Sequence, residues 1–559
     1  MPTVKEYLAQ ALAGRGVKHI FGVPADFVLE CFQYLEDSGE IQPIRMNDEP
    51  QAGFAADAYA RLRGLGVVLV TYGAGGFKVM NSTAQACVED SPVLVISGAP
   101  AQDEYLKGRS LLHYRIHHVV KSRDDQRKAF SHVTGMNRRI DSSSSARADI
   151  DSLIEYIITQ KQPGYLEVPR NMWGAELPAN DNTDHYVYIP PTSDKLALKA
   201  GLKQAVAAIR GSARPVFWVG TDIQRYELQD RVMAMATNFN IPICTTLFGK
   251  SAIDENHPMH LGLYVGAQSA SYRYDDDAVR EYVETSDCVI MLGVNFSDFN
   301  FGIGTVEINT DARLLNAQKG ELRIDSALYE KVLIDDFVAD LASCDLGSHA
   351  FSEPPPEMPF ETPPPDTPIN SDMFFSILNR HILDNTIVIS DIGDCLFGAG
   401  KLDTSYERFL APGVYGSMGW SVGAALGAKL ADSSLRPFVI VGDGAFLMGQ
   451  ESAVGKLSEL ELDPVIFILN NSGYATLQGA VPGKFNVLPG YRFEKICGVY
   501  GGRGFAVETA GKLESVLLEI REISGTPCIV NVVLPPFDKT SVLKRISTEL
   551  GKGVKRGQE

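Results

Sequence analysis

The stretch from Phe438 to Gln478, FVIVGDGAFLMGQESAVGKLSELELDPVIFILNNSGYATLQ, constrains the fold more than any other part of the chain. Phe438-Val439-Ile440-Val441 is an apolar run suited to a buried strand. Gly442-Asp443-Gly444 then allows a tight turn whose backbone can approach a ligand closely. A helical pattern follows, with Ala453, Leu457 and Leu460 on one face. A second apolar run, Val465 to Leu469, leads into Asn470-Asn471-Ser472-Gly473. These pieces form a βαβ unit, and parallel strands place their carboxyl ends on one edge of the sheet. Asp443 and Asn471, 28 residues apart, are therefore expected side by side. Their oxygens, with a backbone carbonyl such as that of Gly473, make an all-oxygen half-shell for Mg²⁺, which phosphate oxygens would complete. Taken singly, the two residues are a turn aspartate and a capping asparagine. The spacing, strands and glycines together point to a diphosphate–Mg²⁺ site at Gly442, Asp443, Gly444, Ala445, Asn471 and Gly473.

The rest of the chain repeats the strand–turn–helix theme. His19-Ile20-Phe21-Gly22-Val23 runs into a turn bearing Asp26, and Val67 to Val70 leads to Thr71-Tyr72-Gly73-Ala74-Gly75. Val93 to Ile96 and the segment from Gly164 to Trp173 read as further strands of the same sheet, the latter its last. The middle segment alternates again at Pro215–Val219, Ile241–Cys244 and Cys288–Leu292, with no Gly-rich dinucleotide fingerprint. Polar, Pro-bearing stretches at Asn180–Asp194 and Glu353–Pro368 read as linkers, the second extended and exposed. The expectation is an α/β chain of three doubly wound, mostly parallel sheets flanked by helices, with domains at 1–180, 195–352 and 369–559. A length of 559 residues is too great for one core, and 45% apolar with 21% charged residues is ordinary soluble composition. A net charge of −18 argues against nucleic acid as partner and gives no support for membrane-surface binding. No apolar run approaches the ~18 residues of a membrane span. The start, MPTVKEYLAQAL, lacks the basic-then-apolar order of a secretory signal and reads as a capping box at Thr3–Glu6. Eight cysteines, scattered without paired spacing, fit reduced thiols in the cytoplasm.

GDG followed by NN at this distance resembles the cofactor motif of thiamine-diphosphate (ThDP) enzymes. The whole chain is similar to the ThDP-dependent 2-keto acid decarboxylases, the pyruvate, indolepyruvate and phenylpyruvate enzymes. The resemblance makes the outer segments pyrimidine- and diphosphate-binding domains, with ThDP and Mg²⁺ as cofactors. It implies that Glu49, before the Ala-rich helix of NDEPQAGFAADAYAR, stabilises the imino tautomer of the cofactor's aminopyrimidine; an isolated glutamate there would simply favour the helix dipole. It places Met418 as the wedge beneath the bent cofactor, the Gly416 carbonyl near its amino group, and Asp394-Cys395-Leu396 in a loop flanking the diphosphate. Glu49 and the Mg²⁺ site serving one cofactor would come from different subunits, giving at least a dimer, with a dimer of dimers as the fuller expectation.

Decarboxylation leaves an enamine that must be protonated, so proton donors are needed above the cofactor. His117-His118 is the one adjacent pair among ten histidines, and the resemblance assigns it this role together with Asp26. Leu111-Leu112-His113-Tyr114 offers an alternative alignment, but the stretch from His117 through Asp124, Gln126 and Thr134 then needs a gap. Choosing His117-His118 leaves a five-residue insertion around Glu104 to Ser110. Position 477 departs from the pyruvate enzymes: they carry a glutamate six residues after the second asparagine, and this chain carries Leu477. Phenylpyruvate- and benzoylformate-type enzymes are apolar there. Thr71 and Asp298 also match polar residues of the aryl-specific enzymes. The expected activity is non-oxidative decarboxylation of a bulky, aromatic 2-keto acid to an aldehyde and CO₂. The alternatives are a ThDP-dependent carboligase, often with FAD in its middle domain, and a silent, assembly-forming relative.

Overall fold

The structure, a computed structural model, describes residues 1–105, 115–179, 188–357 and 360–545. Three sheets follow one another along the chain. In the first, β1 (His19–Gly22), β2 (Gln42–Arg45), β3 (Gly66–Val70), β4 (Val93–Ala99), β5 (Met136–Arg139) and β6 (Gly164–Pro169) are all parallel, in the order β2-β1-β3-β4-β6-β5. The strand from Gly164 thus comes last in the chain but sits inside the sheet, with β5 on the edge. The Thr3–Glu6 capping box opens the first helix, Val4–Ala13, as expected.

The middle sheet holds β7 (Pro215–Val219), β8 (Ile243–Thr245), β9 (His260–Leu263), β10 (Cys288–Leu292), β11 (Arg313–Ala317), β12 (Glu321–Ile324) and β13 (Ala327–Glu330), ordered β13-β12-β11-β10-β7-β8-β9. Its β11–β13 edge is antiparallel, a meander the sequence pattern did not disclose. These strands are only four or five residues long, bury Leu315, Ala317, Leu322 and Ile324 on one face, and carry polar residues between them in place of a long apolar run.

The third sheet is wholly parallel: β14 (Thr386–Ser390), β15 (Phe409–Leu410), β16 (Arg436–Gly442), β17 (Val465–Asn470), β18 (Arg503–Val507) and β19 (Cys528–Val533), ordered β15-β14-β16-β17-β19-β18. In both outer sheets the winding changes direction between β1 and β3 and between β14 and β16, and turns back again at the far edge, where β5 and β18 lie outside β6 and β19. Crevices at such switch points, beyond the carboxyl ends of the strands, are where open α/β sheets bind ligands.

The outer sheets share one core through helices Glu49–Arg63 and Ser421–Ala431. The two backbones approach so closely that a Cβ on Gly427 would stand 2.0 Å from the Ala55 carbonyl oxygen. The buried Arg61–Asp57 pair, 2.8 Å apart, lies at this seam, where Asp57 also accepts from Trp420 Nε1 at 2.8 Å. Among the described residues no helix is long and apolar enough to cross a membrane.

Candidate active site

The switch point of the third sheet opens into a cavity of about 300 Å³. It is lined by Asp394 and Cys395 after β14, by Gly416 and Met418, by Gly442 to Ala445 after β16, and by Asn471, Gly473 and Leu477 after β17. The register Gly442↔Leu469 places Asp443 and Asn471 on neighbouring strand ends, as their spacing predicts. Asp443 is 3% exposed and accepts only backbone N–H groups, from Gly444 at 2.7 Å and Gly473 at 3.0 Å. Burial pushes its carboxyl up to about 6 against the pull of those N–H groups. A carboxylate so enclosed is costly unless a cation or proton joins it. Asn471 donates its Nδ2 to the Asp538 carbonyl at 3.0 Å, which leaves Oδ1 as the atom able to meet a cation. The oxygens available here are hard ligands of the kind Mg²⁺ takes.

The cavity also fits a diphosphate ester. Gly393 and Gly442 line it, and a Cβ built on either meets nothing within 4 Å, so a side chain there would take up ligand space. Gly473 is fixed by contact: its φ is +152°, and a Cβ would strike the Asn486 carbonyl oxygen at 2.1 Å. The turn carrying Gly416 (φ +70°) and Met418 is held by Asp391, which accepts from Gly419 N at 3.3 Å and Ser421 Oγ at 2.9 Å.

One expectation needs correction in this half. Asp394-Cys395-Leu396 is the first turn of a helix, Asp394–Ala399, instead of a loop. Asp394 and Cys395 reach the cavity, but Leu396 is fully buried in the core beside it and is not part of its lining. Asp394 accepts from Thr540 N at 2.9 Å and Oγ1 at 2.5 Å, and burial raises its carboxyl to about 6.

Asp26, Thr71, His117, His118 and Glu49 do not line this cavity. They gather at the switch point of the first sheet, where Asp26 follows β1 and Thr71 follows β3. His117 Nε2 lies 2.6 Å and His118 Nε2 3.9 Å from the Asp26 carboxylate, and Thr71 Oγ1 donates to it at 3.5 Å. Burial works against the charge, but the hydrogen bond and charge of His117 and the charge of His118 hold the Asp26 carboxyl below its usual range. Glu49 opens its helix, with a side chain 13% exposed and ion-paired to Lys78, which also holds Asp48 at 2.6 Å. Gly75 joins the two parts: a Cβ there would stand 3.2 Å from Thr71 Cγ2 and 3.4 Å from Glu49 Oε1. Gln126 locks the histidine loop to this turn, accepting from Gly73 N at 2.6 Å while donating to Ser97 and Tyr165, both at 2.7 Å.

His113 and the rest of the Leu111–Tyr114 alternative lie outside the described residues, as does most of the Glu104–Ser110 stretch. Asp298 is exposed and does not reach the cavity; its neighbour Phe299 does, reaching across from the middle segment. Phe299, Ile392, Tyr474 and Leu534 also shape the wall and were not singled out from sequence. Phe299 and Tyr474 adjoin residues that were and Ile392 lies two before Asp394, so proximity was the available signal; Leu534 lies just past β19 and carried none.

Comparison with known proteins agrees with the three-sheet order of the chain. Three family models match in order: the thiamine pyrophosphate enzyme N-terminal TPP binding domain over residues 2–128, the central domain over 202–327 and the C-terminal TPP binding domain over 391–532. Indole-3-pyruvate decarboxylase of Azospirillum brasilense is 32% identical over 542 residues, covering 95% of each chain. An alpha-keto-acid decarboxylase of Mycobacterium leprae is 28% identical over 98% of this chain and 95% of its own. Pyruvate decarboxylase 1 of Pisum sativum is 28% identical over 90% of this chain and 84% of its own.

Proposed function

This chain belongs to the thiamine-diphosphate-dependent 2-keto acid decarboxylase family, and from that footing we propose that its substrate carries a bulky, aromatic side chain of the phenylpyruvate or indolepyruvate type. The chemistry is decarboxylation of a 2-keto acid with ThDP as cofactor. The observation that carries the aromatic reading is Leu477. It lines the cavity with 54% of its surface still exposed, in a wall that also holds Phe299, Ile392, Met418 and Leu534. An apolar wall whose leucine is half uncovered gains by burying a ring and gains little from a methyl group. The relative named for indole-3-pyruvate acts on a substrate of that class, which supports the reading.

ThDP, when bound, supplies a carbon nucleophile and an electron sink for the bond to CO₂. The chain's part is binding and proton handling. Asp443, Asn471 Oδ1 and the Gly473 carbonyl would hold Mg²⁺ against the diphosphate, with Gly442, Gly444, Ala445, Asp394 and Cys395 around it. Met418 and the Gly416 carbonyl would orient the rings. Glu49 would hold a proton at the pyrimidine nitrogen. Asp26, His117 and His118 would deliver one to the carbon that has lost CO₂, and Thr71 orients Asp26. Asp298, exposed and off the cavity lining, enters this scheme only as the neighbour of Phe299, which lines the wall.

Glu49 and Asp443 stand in separate half-sites, and this supports an assembly in which a second copy completes each site: at least a dimer, with a dimer of dimers as the fuller form. Mixing Glu49→Gln and Asp443→Ala chains tests it. Hybrid dimers should recover activity if sites are shared between chains, and mixtures as inactive as the parents would refute the arrangement. Eight free thiols support a cytoplasmic location.

A panel of pyruvate, 3-methyl-2-oxobutanoate, benzoylformate, phenylpyruvate and indolepyruvate, followed by CO₂ release and product analysis, tests the substrate. Aldehyde from the aromatic acids at the highest kcat/KM is expected. Acyloin as the main product would instead make the chain a carboligase.

A further inference from the structure

Asp26, His117 and His118 bring one carboxylate oxygen and two imidazole nitrogens within 4.8 Å of one another. Three features make this convergence a built one. His118 has φ of 66°, in the left-handed region that a residue with a β-carbon rarely adopts. Successive side chains of an extended strand point apart, and this backbone turn instead aims both rings at the same carboxylate. Gly73 admits the turn, since a Cβ there would stand 2.0 Å from the His118 carbonyl oxygen. The His117 ring lies flat on Phe27, centroids 5.0 Å and planes 8° apart, and Phe27 is itself 1% exposed. A core side chain therefore fixes the orientation of an imidazole at the surface.

We infer that Asp26, His117 and His118 form a binding site for a first-row divalent metal, Zn²⁺ above all, and that its occupation inhibits the enzyme. Two imidazole nitrogens and one carboxylate oxygen, with a position left open, are a donor set that suits Zn²⁺ and disfavours Mg²⁺. Zn–N and Zn–O bonds of about 2.0–2.1 Å in a tetrahedron put ligand atoms roughly 3.3 Å apart. His117 Nε2 stands 2.6 Å from Asp26 Oδ2 and His118 Nε2 3.9 Å from Oδ1, and one ligand atom from each residue lies within 4.8 Å of the others, so side-chain rotations alone would bring the three to that separation. In the single chain His117 and Asp26 keep 57% and 40% of their side chains exposed, and in the proposed assembly the substrate must reach these same groups, so an ion has that path in and a water or substrate oxygen can be the fourth ligand. The chain thus offers two cation sites of opposite preference, a hard one at Asp443 and Asn471 and a nitrogen-rich one here. A metal on both Nε2 atoms removes the sites at which the pair would hold a proton.

Binding does not depend on the proposed catalytic roles; inhibition rests on them, and the test separates the two. Holoenzyme with saturating Mg²⁺ and ThDP is titrated with Co²⁺, read by the intense visible bands of four-coordinate Co²⁺, and then with Zn²⁺ to displace it. One Co²⁺ per chain is expected, with decarboxylation lost in step and restored by a chelator. His117→Gln and Asp26→Asn should each weaken binding at least about tenfold, and the exposed His132→Ala should leave it unchanged. His117 is a surface side chain, so its replacement does not put folding at stake. Absence of a saturable four-coordinate signal, or its survival in both variants, would overturn the site. Stoichiometric binding with undiminished turnover would overturn the inhibition.

Discussion

Replacing Leu477 by glutamate should act differently on aromatic and small substrates. Complete burial of a leucine side chain is worth about 1.5–3 kcal/mol, so covering the 54% of Leu477 that remains exposed contributes about 1 kcal/mol. The opposing face of a substrate ring loses a similar apolar area to the wall, for a total of about 2 kcal/mol, or about thirtyfold in kcat/KM if the contact persists in the transition state. Leu477→Glu removes that contact and sets a charge against the ring, while offering a carboxylate where the pyruvate enzymes carry one. Phenylpyruvate should therefore lose about thirtyfold or more, and pyruvate should lose less or gain. Leu477→Met, which conserves volume and polarity, should change either substrate little. The assay is kcat/KM for both acids in the three proteins. A wild-type preference for pyruvate, or an equal loss of both substrates in Leu477→Glu, would refute the aromatic reading.

Asp443→Ala should abolish retention of Mg²⁺ and ThDP, measured by metal analysis and cofactor release after gel filtration; full occupancy would disprove the cation site. Glu49→Gln should keep the cofactor but slow exchange of its thiazolium proton by orders of magnitude, read by NMR, and near-normal exchange would assign the work elsewhere. His117→Ala or His118→Ala should reduce aldehyde release more than cofactor binding and raise carboligation, whereas a larger loss in His113→Ala would move the histidine role to that position. Asp222, 6% exposed, has its carboxyl pushed up to about 7 by burial, with Asp90 adding to this and Lys319 opposing it. The folded state therefore binds the extra proton between about pH 4 and 7, and stability falls as pH rises through that window, by on the order of 4 kcal/mol at most. Asp222→Asn should flatten that slope by about one proton and raise Tm at pH 8, and an unchanged slope in denaturant titrations across the window would refute it.

The sheets were legible where strands are buried on both faces, because such strands read as unbroken apolar runs. Val67–Val70, Phe438–Val441 and Val465–Leu469 all fall within the observed strands. The β11–β13 meander was illegible for the opposite reason, since only one face is buried and each strand is too short for its alternation to stand out. The juxtaposition of Asp443 and Asn471 could be read because each directly follows a recognisable strand. What decides the other half is contact between distant residues: Gln126 with Gly73, Lys78 with Glu49, and the left-handed His118 against Gly73. No local pattern encodes those contacts. Leu396 failed for a related reason: helix periodicity turns it inward, away from its neighbours Asp394 and Cys395.

The two half-sites differ in what they require, and the difference bears on how a shared site could assemble. Glu49 is satisfied within the chain by Lys78, whose side chain is 51% exposed. Pairs that open to water contribute about 1 kcal/mol at most, so a ligand that hydrogen-bonds to Glu49 displaces Lys78 at little cost. Asp443 has no such substitute. It is buried, its hydrogen bonds come from uncharged N–H groups, and its raised carboxyl records the deficit. A proton relieves it at low pH, and at neutral pH a cation brought in with a diphosphate would do so. On the proposed reading, then, affinity for Mg²⁺ and ThDP resides in the Asp443 half, while the Glu49 half contributes reactivity. That division is why Asp443→Ala is expected to empty the site and Glu49→Gln to leave it filled and slow.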